Sequence, residues 1–188
     1  MEQVNEILES AIYAPYAAAA TGLPLSDVRK VFVFSTGTPS MESAKEILLS
    51  AIASNALKIN IVLKIFPFLN KKMKSFSNRL NSISRNGIPS LIDGSYFVVI
   101  AERKGFPPNE KQSLSHVIQN MWLTATKFNI GFQLLSATGI LSNNSRFLKL
   151  LNLPKNKYHL EGCVIGISKQ QTEERKEFQL DEFVSWIS

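Results

Sequence analysis

The chain has 188 residues, 45% of them apolar, with 21 Lys and Arg against 15 Asp and Glu, two His and one Cys. That length suits one domain whose core needs no disulfide or structural metal, and the single thiol excludes a disulfide framework within the chain, so a reducing cytoplasm is the expected compartment. Neither the acidic start Met1-Glu2-Gln3 nor the short apolar stretches after it resemble a signal peptide, and no segment is expected to be long and uninterrupted enough to span a bilayer.

In chain order, Asn5 to Tyr13 reads as a short helix closed by Ala14-Pro15. After the Gly22-Leu23-Pro24 loop, Arg29 to Ser35 is a β-branched and aromatic strand, and Pro39-Ser40 opens a helix running to about Asn55. Residues 56–88 form a basic, strongly apolar helical segment that Pro67 should kink or break. Tyr96 to Ala101 is a near-continuous apolar strand, suited to a position buried on both faces of a sheet. Beyond a turn over Glu102 to Pro108, Leu114, Val117, Ile118, Met121, Trp122, Ala125 and Phe128 recur at helical spacing and make a wide apolar stripe. Asn129 and Gly131 tolerate the left-handed backbone that ends such a helix. Gly131 to Leu135 then reads as a short buried strand, left by Ser136-Ala137-Thr138-Gly139, whose amides and hydroxyls could face a polar heteroaromatic ring. An ordinary helix-to-strand connection is the plain alternative. Ser142 to Asn152 is a further helix, Leu160 to Ile167 a core strand, and Leu180 to Ile187 a short terminal helix. No repeat or low-complexity tract interrupts this order, so residues 1–188 are expected to form a single α+β domain.

The positive charge is local. Lys58, Lys64, Lys71, Lys72, Lys74, Arg79 and Arg85 lie between Ala56 and Ile92 without an acidic residue, so the rest of the chain nets −1. Leu57, Ile61, Phe66, Phe68, Leu69 and Phe76 are interleaved with them. Three readings compete: a basic surface for anionic lipid, a patch for phosphate backbones, or a helical pair that packs on a partner subunit with its lysines in water. The apolar content favours the third, as a dimer or cap element. No nucleic-acid reading module accompanies the charge, and neither nucleic acid nor membrane is the expected partner.

Catalytic side chains are scarce. His116 and His159 have no neighbouring residues at metal-ligand spacing, Cys163 sits in the apolar run Gly-Cys-Val-Ile-Gly as a small hydrophobe, and neither a Gly-x-Ser-x-Gly elbow nor a phosphate loop is present. No catalytic side chain and no metal site are expected. That poverty fits a protein whose reactive atoms belong to a bound cofactor, and equally an inert binding protein.

Taken together, Ala14-Pro15 after a helix, the Arg29–Ser35 strand, the Tyr96–Ala101 strand, and Gln119-Asn120-Met121-Trp122-Leu123 followed by Asn129-Ile130-Gly131-Phe132 resemble the FMN-dependent nitroreductase family. Leu153-Pro154, Glu161 to Gly166 and the tail Glu174-Arg175-Lys176 leading to Leu180-Asp181-Glu182-Phe183-Val184 are similar to that family's ending. The resemblance implies a central, mostly antiparallel sheet flanked by helices in an intertwined homodimer. It implies FMN carrying hydride from NAD(P)H to a small electron-poor acceptor such as a nitroaromatic, quinone or flavin; a non-catalytic dimer that binds flavin or another small ligand is the alternative. Carried over residue by residue, Ala14, Pro15 and Tyr16 match the family's Ala-Pro-Ser segment beside the flavin. Leu135, Ser136, Ala137, Thr138 and Gly139 match the loop near its ring, and Arg175 and Lys176 match the basic positions that reach its phosphate. Arg175 among Glu173, Glu174 and Glu177 also reads as a solvated charge. Two departures stand out. Met1 lies too close to the first helix for the family's Arg-x-Ser-x-Arg phosphate grip, which marks a short form, and Ala17 to Ala20 replace the family's Asn, leaving Thr21 and Gly22 to supply a hydroxyl and a close backbone approach.

Overall fold

The computed structural model describes residues 2–15, 22–167, 179 and 182–187. Its helices among these residues are α1 (Glu2–Ser10), α2 (Leu25–Val28), α3 (Pro39–Ile65), α4 (Asn70–Asn86), α5 (Pro89–Asp93), α6 (Glu110–Lys127) and α7 (Ser145–Leu150). Four strands, β1 (Arg29–Ser35), β2 (Tyr96–Arg103), β3 (Gly131–Leu134) and β4 (Tyr158–Gly166), pair antiparallel in the order β1-β2-β4-β3.

The period-two alternation of β2 divides the core. Val98 and Ile100 face α1 and α6, with Ile7, Leu114, Val117, Met121 and Ala125 from those helices and Cys163 and Ile165 from β4. Phe97, Val99 and Ala101 face α3 and α7, against Met41, Ile47, Leu48, Ile52, Phe147 and Leu148. Phe97 stacks on Phe34 with ring centroids 5.7 Å apart. Each such side chain, withdrawn fully from water, contributes about 1.5–3 kcal/mol, so β2, buried from Phe97 to Glu102, anchors both layers.

Local chemistry sets the boundaries. Thr38 caps α3, its hydroxyl accepting from the Met41 amide, and Pro39 occupies the first helical position. At the end of α6, Asn129 takes φ +53°, its amide donating to Thr126 and that of Ile130 to Ala125, the paired bonds that satisfy a helix's last carbonyls. Asn152, at φ +51°, closes α7 in the same way through bonds from Asn152 and Leu153 to Lys149 and Leu148.

The structure departs from the sequence reading in several places. Helix α3 does not stop near Asn55 but continues to Ile65, because nothing before Pro67 interrupts its hydrogen bonds. The resulting 27-residue helix is long and apolar enough, by length and composition, to cross a membrane, contrary to the expectation that no such segment exists. Its first half, however, is core against the sheet, and Asn60 lies in a polar seam with α4. The short helices α2 and α5 occupy stretches to which the sequence reading assigned no element. Ser136–Asn143 is a 3-10 helix rather than a free turn, and Ser145–Leu150 is all that is helical of the expected Ser142 to Asn152. Residues 184–187 are not helical.

Helices α3 and α4 form a hairpin beyond the sheet. Within its seam, Asn60 donates to Asn81 at 3.0 Å and Ser77 donates to Asn60 at 2.6 Å, fixing the register of the two helices. Outside the seam, Leu57, Ile61, Ile65, Phe66, Phe68 and Phe76 are exposed, Phe68 at 76%.

Candidate functional site

Ala14 and Pro15 follow α1 on the α6 face of the sheet, and their path is fixed by Arg29, the first residue of β1. The buried Arg29 guanidinium donates from Nη1 to the carbonyls of Ala11 (2.7 Å) and Ala14 (2.9 Å) and from Nη2 to that of Pro15 (3.3 Å). Its remaining edge meets Glu102, with Nε to Oε2 at 2.7 Å and Nη2 to Oε1 at 3.2 Å. Glu102 is 1% exposed. Burial pushes its carboxyl above the ordinary range, against the opposing pull of the Arg29 bonds and charge and of a hydrogen bond with Ser113. Antiparallel register makes the pair, because Arg29 stands opposite Glu102 at the end of the β1–β2 ladder. The sequence signal was available: one strand opens on a cation and the other carries an anion one residue before its end.

The second segment follows β3 on the opposite face. Leu135 donates its amide to Gly162 at 2.7 Å, Thr138 donates back to Leu135, and the 3-10 helix lies against β4. Gly162 makes this approach possible: a Cβ there would stand 2.5 Å from Thr138 Oγ1 and 3.0 Å from the Phe97 ring. Ser142 continues the attachment, donating to the Gly139 carbonyl at 2.8 Å and accepting from the Leu160 amide at 3.0 Å. Leu135 and Thr138 are therefore buried, with the Thr138 hydroxyl turned inward and unpartnered among the described residues, while Ser136 is exposed and Ala137 and Gly139 are half-buried. Of the hydroxyls read as facing a ring, only that of Ser136 belongs to an exposed residue.

A cleft of about 550 Å³, within the range of small-ligand sites, opens where β3 begins and β4 ends. Gly131, Gln133 and Gly166 form its strand side, and Pro89, Ser90 and Asp93 of α5 its helical side. Gln133 stands opposite Val164, which belongs to the α3-side core, so the cleft lies on the same face as Ser136–Gly139. Among the described residues Ser90 Oγ is shut off from solvent without a hydrogen-bond partner, an arrangement that costs about 1–3 kcal/mol if left so. None of these residues was expected as a site residue from the sequence. Gly87-Ile88-Pro89, a positive-φ glycine two residues before a helix-opening proline, was their signal.

The expected site residues thus divide. Ala14 and Pro15 lie on the α6 face; Leu135 to Gly139 lie on the α3 face, with the sheet between them. Gly22 is exposed at φ +68°. Tyr16, Thr21, Arg175 and Lys176 lie outside the described residues. Among the described residues no cluster of His, Cys, Asp and Glu could hold a metal. Cys163 is buried, and burial pushes its thiol up beyond any reactive range. His116 is exposed, while His159 Nε2 sits 3.1 Å from Glu110.

Residues 1–167 match the model of the nitroreductase family. No curated protein sequence matches the chain. Among solved structures, a nitroreductase with bound FMN from Bacteroides fragilis NCTC 9343 is similar at TM-score 0.67 and 16% identity, over 100% of this chain and 87% of its own. A BluB-like flavoprotein from Clostridium difficile 630 is similar at TM-score 0.67 and 13% identity, over 100% and 89%. An FMN and NADPH-dependent nitroreductase, NfnB of Sphigopyxis sp. strain HMH, has TM-score 0.63 and 12% identity over 100% and 89%. At such identities the likeness speaks for the fold.

Proposed function

Since the chain belongs to the nitroreductase family, we propose that it is an FMN-dependent oxidoreductase passing electrons from NAD(P)H to a small electron-poor acceptor, a nitroaromatic, quinone or flavin. The observation that carries this reading is the cleft beside β3, whose buried Ser90 hydroxyl lacks a partner among the described residues and whose Gln133 amide adds donors and an acceptor. Such a lining fits the polar edge of a flavin. FMN, when bound, supplies the hydride chemistry, which accords with a chain whose thiol is inert and whose described residues hold no metal cluster. Gln133 and the exposed rim of Ser136–Gly139 would orient the ring, and Arg175 and Lys176 would hold the phosphate.

A homodimer belongs to the same proposal. Ala14-Pro15 and Ser136–Gly139 stand on opposite faces of one sheet, so a ring touched by both takes one segment from each of two chains. Exposed Leu57, Ile61, Ile65 and Phe68 on the hairpin give an apolar surface of the kind that association covers.

Purified protein supplied with FMN should turn yellow and bleach anaerobically on addition of NADH or NADPH. A yellow protein that never bleaches is the non-catalytic flavin binder instead, and a colourless one that takes up no FMN overturns both. Light scattering at micromolar concentration should give a dimer, which Ile61→Asp with Phe68→Ser should split.

A further inference from the structure

The geometry points to Arg29 as the positioning residue for the Ala14-Pro15 wall of the flavin pocket, an inference that rests on the flavin reading above. Among the described residues, five bonds leave its guanidinium. Two go to Glu102 and three to carbonyls of the stretch that follows α1: Ala11, Ala14 and Pro15. The Ala11 carbonyl is one that a helix end leaves without an intrahelical donor. Ala14 and Pro15 are past the helix altogether, where no ladder holds the chain. A counter-ion for Glu102 would need only one edge of the fork; here the other edge is committed to the segment. A buried ion pair gains little net stability over an apolar replacement, so what this pair supplies is direction: a planar fork anchored by a carboxylate and aimed at three carbonyls. Lysine, a point charge on a flexible stem, satisfies the carboxylate without reproducing the fork.

The test uses the full chain and FMN itself. The wild type is titrated with FMN by fluorescence quenching, and amide exchange is followed over residues 11–14 without flavin. Arg29→Lys, which keeps the charge beside Glu102, should weaken FMN binding about tenfold, the worth of a charge-assisted hydrogen bond. It should also shift the flavin absorbance toward that of free FMN and speed exchange over residues 11–14. The double variant Arg29→Met with Glu102→Leu removes the pair without leaving a buried charge and should show the same changes while circular dichroism reports a folded chain; it carries the test should the lysine variant fail to fold. Folded variants that bind FMN within about twofold of wild type, with unchanged exchange, overturn the role of Arg29 and leave the flavin reading standing. A wild type that takes up no FMN overturns that reading and this inference with it.

Discussion

Ala14-Pro15, on one face of the sheet, hangs from a buried guanidinium, whereas Ser136–Gly139, on the other, is seated by shape on a glycine of β4. The first attachment is made of a few directional, charged bonds, and its failure exposes a buried charge. The second is made of close contact plus the neutral bonds of Ser142, and it yields by degrees. Polar attachment therefore concentrates the consequence of a mutation in one residue and ties it to pH, while steric attachment spreads it over neighbours and does not.

The largest effect should follow from Arg29→Met alone. Glu102 would then be a buried carboxylate stripped of its partner, a change that costs about 3–5 kcal/mol. Urea denaturation should show the loss, and the loss should shrink on acidification, because a carboxyl whose folded pKa is raised gains stability as it protonates and loses it as pH rises through that pKa. A pH-independent loss would mean that packing, not charge, is what Arg29 supplies.

Gly162→Ala should act on the other side of the comparison. The added methyl meets Thr138 and the Phe97 ring, both within the core, and overpacking of this kind costs about 1–3 kcal/mol. Here the loss should vary less with pH than that of Arg29→Met, the nearest titratable group being Glu161, which accepts from the Gly162 amide, and a crystal structure should show the 3-10 helix displaced from β4 with Ala14-Pro15 unmoved.

How much of this was legible follows from the same contrast. Strands β1 and β2 were plain because continuous β-branched and aromatic runs have few alternatives, and the end of α6 was plain because Asn129 is the kind of residue a left-handed cap requires. The extent of α3 was not, since Asn55 looks like a stop only while the core that Ile52 and Ala56 join is unknown. Nor was the inward turn of Thr138: a Ser-Ala-Thr-Gly run reads as exposed polar turn until Gly162, distant in sequence, is seen to leave room for it. Arg29 and Glu102 carried a readable signal, opposite charges at the paired ends of two apolar strands, but the purpose of the pair lies in carbonyls, which every residue has and no sequence distinguishes. The α5 side of the cleft was hidden for a related reason, because a five-residue helix has too little periodicity to announce itself.

The smallest effect, and the most selective, concerns His159, which stands opposite Glu102 in the β2–β4 ladder. Burial holds its pKa below the ordinary value of about 6.5, the Lys104 and Lys111 charges push the same way, and Glu110 pulls upward without prevailing. The unfolded chain therefore takes up the proton more readily than the folded one, so this residue's contribution is present above about pH 6.5 and is lost as pH falls toward the folded pKa. Stability measured by urea should fall between pH 7 and 5 in the wild type and fall less in His159→Gln, the difference between the two removing the opposing contribution of Glu102. Amide exchange should localise that acid loss to the Arg29 end of the sheet. Equal acid sensitivity over Ser136–Asn143 would break the comparison, since neither Gly162 nor Ser142, which attach that helix to β4, carries a titratable side chain.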